Sequence, residues 1–270
     1  MIFRYKNKCL DLGERTYIMG ILNMTEDSFS DGGEYNTLDA ALKRVEEMIA
    51  QGADIIDVGG ESTRPGYTQI SDDDEIKNVV PVITEIKKRY DTIVSVDTYK
   101  AEVAKQAINA GADIVNDIWG FRKDSELANV CAKYGVGVVL TANQNDNEYT
   151  GICDKVSDTF KECISIARSA GIADNRIILD PGFGFGKTYE ENIELLNNMQ
   201  NIDAFGLPIL VGVSKKSMIG KTLNLKPGEC GEGTIACDTI AIMKGANIIR
   251  VHDIKQAKLA AVMTDKIRRS

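Results

Sequence analysis

The sequence predicts an α/β protein, a (β/α)8 TIM barrel with a short N-terminal β-hairpin. Eight short apolar runs alternate along the chain with segments whose apolar residues recur at helical spacing. The runs are too apolar to expose either face, which is typical of parallel strands covered by helices. The length of 270 residues suits one such barrel, so residues 1–270 are expected to form a single domain. A doubly wound open sheet is the alternative.

The first element is a hairpin over Ile2–Leu12, where apolar and polar residues alternate around Lys6-Asn7. We expect this hairpin to close the bottom of the barrel. The eight predicted strands then follow in order: Tyr17–Thr25, Asp54–Gly60, Thr92–Thr98, Asp113–Ile118, Gly137–Thr141, Arg176–Asp180, Pro208–Ser214 and Asn247–Asp253.

Apolar residues at helical spacing between and after the strands predict amphipathic helices. The predicted helices are Leu38–Ala50, Asp72–Arg89, Lys100–Ala110, Asp154–Ala170, Tyr189–Gln200 and Lys255–Arg269. Proline lacks an amide hydrogen, so the second helix is expected to be kinked or to begin anew at Pro81. Three similar turns, at Gly52, Gly111 and Gly245, are each expected to end a helix in the left-handed conformation and open a strand.

Composition and charge exclude several classes of function. A net charge of −8 disfavours nucleic-acid binding, and no apolar run approaches the roughly 20 residues of a membrane helix. The first residues lack the apolar core of a signal peptide, so a cytoplasmic protein without membrane or nucleic-acid partners is expected. The single histidine excludes a zinc site of several histidines. The six cysteines form no CxxC pair and are expected to be free thiols, buried or partly buried.

Polar residues stand at the ends of seven of the eight predicted strands. They are Asn23, Asp57 with Glu61, Asp97, Asn116 with Asp117, Asp180, Ser214 with Lys215 and Lys216, and Arg250 with His252. The carboxyl ends of barrel strands meet at one mouth, where active sites lie, so these side chains are expected to share a site. Two alternatives stay open: Asp57 could bond loop amides, and the pair Asn116-Asp117 could cap a turn.

Three loops add sharper signals. Glu61–Gly66 combines hydroxyl and guanidinium groups suited to an anion, and Asp180–Lys187 places glycines and two aromatic rings around a carboxylate. Asp27–Gly33 is polar, carries one aromatic residue and ends in glycines, as expected of a mobile lid.

The polar residues indicate a ligand with two unlike halves. A flat heterocycle rich in N–H donors, with one carbonyl, suits the first set: Asp97, Asn116, Asp180 and Lys216. A phosphate or pyrophosphate, with a divalent cation, suits the second set: Asn23, Thr63, Arg250 and His252. No general acid/base pair or nucleophilic triad stands out. The chemistry is therefore expected to depend on positioning and on stabilising a departing anion.

Seven segments, in order along nearly the whole chain, resemble the dihydropteroate synthase family. They are Gly20–Gly33, Ile56–Gly66, Ser95–Thr98, Asn116–Ile118, Leu179–Lys187, Gly212–Gly220 and Arg250–Asp253. The resemblance implies a transferase of folate biosynthesis and a target of sulfonamides. Its reaction would join 6-hydroxymethyl-7,8-dihydropterin pyrophosphate to p-aminobenzoate, giving 7,8-dihydropteroate and pyrophosphate with Mg²⁺. It also implies a homodimer, with the last helices as its interface.

The resemblance further implies roles for individual residues. The expected catalytic residues are Lys216, Asp97, Asp180 and Arg250. The expected pterin-binding residues are Asp97, Asn116, Asp180, Phe185, Lys216 and Arg250. The expected pyrophosphate ligands are Asn23, Thr63, Arg250 and His252, with Asn23 also holding the metal. The expected p-aminobenzoate and lid-loop residues are Phe29, Asp31, Thr63, Arg64, Pro65, Phe185 and Ser214, with Asp31 and Arg64 pairing.

One segment departs from the family pattern. Leu140-Thr141-Ala142-Asn143 stands where the family has Leu-Met-His-Met, so one wall of the ring pocket is expected to be small and polar. This departure supports a second hypothesis, a divergent paralogue that binds a pterin pyrophosphate without condensing it. A third hypothesis is the pterin-binding domain of a corrinoid-type methyltransferase, which would not need Glu61–Gly66 or the pair formed by Arg250 and His252.

Overall fold

The computed structural model describes residues 1–24, 33–61, 69–143, 151–202, 204–268 and 270. Within these ranges the chain forms an antiparallel hairpin, β1 (Ile2–Tyr5) and β2 (Lys8–Asp11), followed by eight parallel strands. The parallel strands are β3 (Tyr17–Asn23), β4 (Ile55–Gly59), β5 (Ile93–Asp97), β6 (Ile114–Asp117), β7 (Gly137–Thr141), β8 (Ile177–Asp180), β9 (Leu210–Val211) and β10 (Ile248–Val251).

The eight parallel strands close into a barrel. They pair in the order β8-β7-β6-β5-β4-β3-β10-β9, and a parallel bridge between Leu179 and Ile209 joins the two ends. Next to this bridge the Leu179 N–H donates to the Pro208 carbonyl at 2.9 Å. The predicted barrel is therefore confirmed, and the open sheet is excluded.

Helices alternate with the strands and cover the outside of the sheet. They are α1 (Gly33–Ala50), α2 (Asp72–Arg89), α3 (Ala101–Ala110), α4 (Ser125–Tyr134), α5 (Ile152–Ser169), α6 (Tyr189–Asn197), α7 (Ser217–Leu223), α8 (Gly231–Met243) and α9 (Ile254–Arg268). All six predicted helices are present within a few residues of their predicted bounds. The turn glycines that precede β4, β6 and β10 have φ angles of 99°, 124° and 108°, as predicted.

The prediction that a new helix begins at Pro81 is wrong. Helix α2 runs unbroken from Asp72 to Arg89 with Pro81 inside it. Pro81 is exposed, and so is Lys77, whose carbonyl would have accepted the missing amide hydrogen. Water can satisfy that carbonyl on the exposed face. The Ser71 hydroxyl caps the helix by accepting from the Asp74 N–H.

The hairpin closes the bottom of the barrel, as predicted. Phe3, Tyr5 and Leu12 pack against an inward-facing apolar layer at the amino ends of the strands. This layer consists of Met19, Ile55, Ile114, Val139, Ile178, Leu210 and Ile248. The contact is close, since a Cβ on Gly137 would lie 2.3 Å from Cζ of Phe3. The hairpin is therefore an integral part of the core.

The inside of the barrel changes from apolar to polar along its axis. Because side chains alternate along a strand, the residue two positions after each apolar-layer residue also faces inward. On β4, β6 and β10 those next inward residues are Asp57, Asn116 and Arg250, and on β5 the inward Ser95 follows Ile93. The polar half of the barrel interior therefore lies toward the carboxyl ends of the strands.

Two further predictions concern membrane-spanning helices and the cysteine thiols. No helix within the described ranges is long and apolar enough to cross a membrane. All six cysteines lie in the described ranges and are free thiols, as predicted. The prediction that they are buried or partly buried is wrong for Cys9, which is exposed on β2.

Candidate active site

Arg250 lies between two buried carboxylates in the polar half of the barrel. Its Nε donates to Oδ2 of Asp57 at 2.6 Å, and its Nη2 donates to Oδ2 of Asp97 at 2.6 Å. The amide of Asn116 also donates to Oδ2 of Asp57, at 3.1 Å. Burial lowers the pKa of Arg250, but Asp57 and Asp97 raise it above its usual value. The arginine therefore stays charged, and Asp57 belongs to the site as well as to the structure.

Several acceptors in this cluster are unused. Oδ1 of Asp57, Oδ1 of Asp97 and Oγ of Ser95 are buried without a hydrogen-bond partner among the described residues. A buried polar atom without a partner costs about 1–3 kcal/mol, so these atoms are suited to N–H donors of a bound molecule. Sequence reasoning did not identify Ser95. Its signal was its position two residues before Asp97, on the same face of β5.

A second cluster joins Asp180 to Lys216 and Phe185. Asp180 ends β8 and accepts from the Gly182 N–H at 2.7 Å. Lys216 precedes α7, and its Nζ donates to the Phe183 carbonyl and lies 4.4 Å from the centre of the Phe185 ring. Burial raises the pKa of Asp180, and Lys216 opposes this rise. Burial lowers the pKa of Lys216 to about 8, and Asp180 opposes this fall.

The two clusters form one site. Electrostatic interactions at Lys216 come from Asp180, Arg250 and Asp97, and those at Asp180 include Lys216 and Arg250. Burial also raises the pKa of Asp97, which Arg250 opposes and Asp57 reinforces. These four residues, Asp97, Asp180, Lys216 and Arg250, therefore occupy one neighbourhood, as the sequence predicts. The site therefore holds two cations: Arg250, which is bonded to two carboxylates, and Lys216, which lies near Asp180.

Ser214 and His252 form a third contact at the same mouth. The Ser214 hydroxyl lies 2.9 Å from Nδ1 of His252 and accepts from the His252 N–H at 3.2 Å. Arg44 donates to the His252 carbonyl at 2.8 Å. These bonds fix the imidazole on the strand that carries Arg250.

Asn23 ends β3 near Asp97. A Cβ on Gly59 would lie 3.6 Å from Cβ of Asp97 and 3.7 Å from Oδ1 of Asn23, so these two side chains flank Gly59. The lack of a side chain at residue 59 leaves room between the amide oxygen and the carboxylate. Asn23 therefore lies on the same side of the mouth as the Arg250 cluster.

Two predicted polar residues have structural roles. The carboxylate of Asp117 accepts from the N–H groups of Trp119 and Phe121, which is the turn-capping role that the sequence left open. The buried carboxylate of Glu61 accepts from Nζ of Lys100 at 2.8 Å and from the Tyr99 hydroxyl at 3.0 Å.

The segment that departs from the family pattern is buried at the end of β7. Thr141 and Asn143 are buried polar residues, and their predicted place on a wall of the ring pocket stays a prediction. Ala142 instead packs with the apolar core outside the sheet, and its N–H donates to the Asp180 carbonyl at 2.8 Å. The segment is therefore tied to the backbone of the second cluster.

Five predicted site residues, all in the loops after β3 and β4, lie outside the described residues. They are Phe29, Asp31, Thr63, Arg64 and Pro65. Their roles, including the pairing of Asp31 with Arg64, stay predictions.

Comparisons with known proteins agree on one family. The family model described as pterin binding enzyme matches residues 19–252. The dihydropteroate synthase of Clostridium beijerinckii is 56% identical over 264 residues, which cover 97% of this chain and 98% of that protein. The dihydropteroate synthase of Bacillus subtilis is 46% identical, over 98% of this chain and 93% of that protein.

Solved structures are similar to the whole barrel. The crystal structure of the Clostridium difficile dihydropteroate synthase in the presence of pteroic acid has a TM-score of 0.94 and 48% identity. That match covers 97% of this chain and 100% of the other. The Yersinia pestis dihydropteroate synthase in a sulfonamide drug complex has a TM-score of 0.93 and 41% identity, with 100% of both chains covered.

Proposed function

The chain belongs to the dihydropteroate synthase family of pterin-binding enzymes, and from this premise we propose how its barrel mouth binds the two substrates. The enzyme is a transferase of folate biosynthesis. It condenses 6-hydroxymethyl-7,8-dihydropterin pyrophosphate with p-aminobenzoate and forms 7,8-dihydropteroate and pyrophosphate. The observation that carries the assignment of roles is the meeting of Asp97, Asp180, Lys216 and Arg250 at one mouth.

The pterin ring binds between the two clusters. A pterin offers several N–H donors and one ring carbonyl, and the mouth offers buried carboxylates beside one ammonium. Asp180 and the unused Oδ1 of Asp97 accept ring N–H groups, and Asn116 supplies an amide beside them. Lys216 donates toward the carbonyl, and the Phe185 ring supplies an apolar wall. Lys216, Asp97, Asp180 and Arg250 act as the catalytic residues, by positioning the ring and its charge.

The pyrophosphate binds toward Asn23, Arg250 and His252. A guanidinium carries five N–H donors, and the contacts with Asp57 and Asp97 use two of them. Arg250 is 19% exposed, so its remaining donors can reach a ligand at the mouth. Thr63 is assigned to the same end by motif.

Magnesium fits this end of the site. Within the described ranges no group of three or more His, Cys, Asp or Glu side chains is placed to hold a metal ion. The amide oxygen of Asn23, assigned by motif, would be one ligand, with substrate oxygens and water as the others, a common arrangement for Mg²⁺. When bound, the ion would neutralise part of the charge of the departing pyrophosphate.

The reaction proceeds in two steps. The bond between the pterin methylene carbon and the pyrophosphate oxygen breaks first, and the electron pair leaves with pyrophosphate. The electron-rich ring stabilises the cationic methylene, the aniline nitrogen of p-aminobenzoate attacks it, and the new C–N bond forms as that nitrogen loses a proton. Phe185 and Ser214 border the second substrate, with Phe29, Asp31, Thr63, Arg64 and Pro65 on the two loops assigned by motif. Exclusion of water protects the cation from hydrolysis.

One assay tests the function. Protein, Mg²⁺, dihydropterin pyrophosphate and p-aminobenzoate are mixed, and both pyrophosphate and dihydropteroate are measured. Equal release of the two products is the expected result. Binding of the pterin pyrophosphate by calorimetry without product would favour the divergent paralogue, and methyl transfer from methyltetrahydrofolate to a corrinoid protein would favour the methyltransferase domain.

The protein acts as a homodimer through α8 and α9. These two helices pack side by side and expose several large apolar side chains: Ile240, Met243, Leu259, Val262, Met263 and Ile267. An apolar patch on adjacent helices is typical of an interaction surface. A second copy of the chain would cover it by matching the same two helices across a two-fold axis.

A further inference from the structure

Lys187 makes an unusual set of contacts beside the site. It lies in the loop 181–188, between β8 and α6. Its Nζ donates to three backbone carbonyls: those of Ala142 at 2.8 Å, Gly182 at 2.9 Å and Phe185 at 3.3 Å. A lysine ammonium carries three N–H donors, so these contacts use its full donor capacity. Burial lowers the pKa of Lys187 to about 7, and Asp180 opposes this fall.

The three acceptors come from two neighbouring strand ends. Ala142 follows β7, whereas Gly182 and Phe185 belong to the loop after β8. Gly182 has a φ of 73°, and a Cβ there would lie 2.5 Å from the Ala142 carbonyl oxygen, so the loop passes directly against the end of β7. Three carbonyl oxygens that converge on one point repel one another. A cation at that point attracts all three and so stabilises the arrangement.

The other side of the same loop contacts the second cluster, which consists of Asp180, Lys216 and Phe185. The Phe183 carbonyl accepts from Nζ of Lys216, and the Phe185 ring lies against that ammonium. The Gly182 N–H donates to Asp180. Of these three loop residues, Gly182 and Phe185 accept hydrogen bonds from Lys187, and Phe183 adjoins Gly182.

We infer that Lys187 is a positioning residue for pterin binding, whose ammonium holds loop 181–188 in the shape that places Asp180 and Lys216. This inference deepens the proposed function and rests on it. Lys187 does not touch the ring in this arrangement, because its donors point to the backbone. Removal of its ammonium should loosen the ring end of the site and leave the pyrophosphate end unchanged.

The test separates the two ends of the site with two probes. Calorimetry measures the Kd of 6-hydroxymethyl-7,8-dihydropterin, which has only the ring, and of inorganic pyrophosphate with Mg²⁺, which has only the tail. Lys187→Met keeps the length of the side chain but removes its donors. We expect its ring Kd to rise at least about tenfold, which corresponds to about 1.4 kcal/mol of lost binding free energy. The pyrophosphate Kd should stay within about twofold.

Two further variants make the result decisive. Lys187→Arg keeps the charge but presents a planar fork, so a smaller rise in ring Kd is expected. If Lys187→Met does not fold, Lys187→Arg is the deciding variant. A raised ring Kd would support the positioning role, and an unchanged ring Kd would overturn it. Lys221→Met, which changes an exposed lysine on α7, is the matched control and should bind both probes like the wild type.

The possible failures can be told apart. An unchanged ring Kd in Lys187→Met, or an equal loss for both probes, would overturn the positioning role. A wild-type protein that binds neither probe would instead contradict the proposed function.

Discussion

At the scale of single residues, each buried cation of the site lies beside groups that stabilise its charge. Arg250 bonds two carboxylates, and the Lys216 ammonium lies near Asp180 and between the Phe183 carbonyl and an aromatic ring. An unpaired charge in such a place would cost several kcal/mol, so each cation is stable only together with these groups. The acceptors that these groups leave unused are the ones available to a ligand.

Changing Asp180 to Asn should abolish binding of the pterin ring. The Asn oxygen can still accept from the Gly182 N–H, but the NH₂ group would face an N–H donor of the ring. Loss of a charged acceptor combined with this clash predicts a Kd raised by about 100-fold or more. Calorimetry with dihydropterin pyrophosphate measures it. Asp174→Asn, which changes a surface carboxylate paired with Arg168, is the control, and an unchanged Kd for Asp180→Asn would contradict the pocket assignment.

Lys216 should give pterin binding an alkaline limit. Its pKa is lowered to about 8, so the ammonium dominates below that pH and the neutral amine above it. If the ammonium holds the ring carbonyl, affinity should fall about tenfold per pH unit above that pKa.

Lys216→Met should depress turnover strongly, by about 100-fold or more, and should lose the part of the alkaline fall that Lys216 contributes. Steady-state kinetics and calorimetry between about pH 6 and 10 follow both effects, a range that spans the lowered pKa of Lys216. Near-wild-type turnover would remove Lys216 from the site.

At the scale of elements, strands were the most predictable part of the chain. Their apolar runs need burial on both faces, and their polar last residues identified Asp97, Asp180 and Arg250 without coordinates. The role of Lys187 could not be predicted from the sequence. Two of its acceptor carbonyls lie within five residues of it, but the third belongs to Ala142, which follows β7 and is distant in the sequence. The sequence did not predict that α2 continues through Pro81. Its continuity depends on Pro81 lying on the solvent-exposed face of the helix, which the sequence alone does not show.

Phe3 should contribute strongly to stability although it is far from the mouth. It is fully buried against the bottom layer, so Phe3→Ala should lower the free energy of unfolding by about 3–5 kcal/mol. Urea denaturation measures this loss. The neighbouring Ile2 is 48% exposed and provides the control, since Ile2→Ala should cost less than about 1 kcal/mol. A loss below that level for Phe3→Ala would mean that the hairpin does not stabilise the barrel.

At the scale of the whole molecule, the residues that stabilise the barrel and the residues of the site lie at opposite ends of its axis. The hairpin and the apolar layer occupy the amino ends of the strands, and the charged clusters occupy the carboxyl ends. Substitutions at the bottom should therefore change stability with little effect on Kd, and substitutions at the mouth should do the reverse. The α8–α9 surface lies on the outside of this axis and is available for association.

Leu259→Asp should convert the proposed dimer into a monomer. Leu259 is 65% exposed on α9 and lies one turn before Met263, which is 61% exposed. A charge at the centre of an apolar contact between two copies would be buried without a partner. Sedimentation velocity distinguishes the two states, and Ile193→Asp, at an exposed position on α6, is the control that should stay dimeric. A monomeric wild type would refute the interface.

The Arg250 cluster also has a consequence for how the chain is made. The contacts of Arg250 span 193 residues to Asp57 and 153 to Asp97, so both acids leave the ribosome long before their cation does. Until β10 is synthesised, closing the earlier strands would enclose two carboxylates with no arginine between them. The nascent barrel should therefore stay open until the last strand emerges. A stop codon before residue 250 should cause loss of the folded protein and not merely an inactive one.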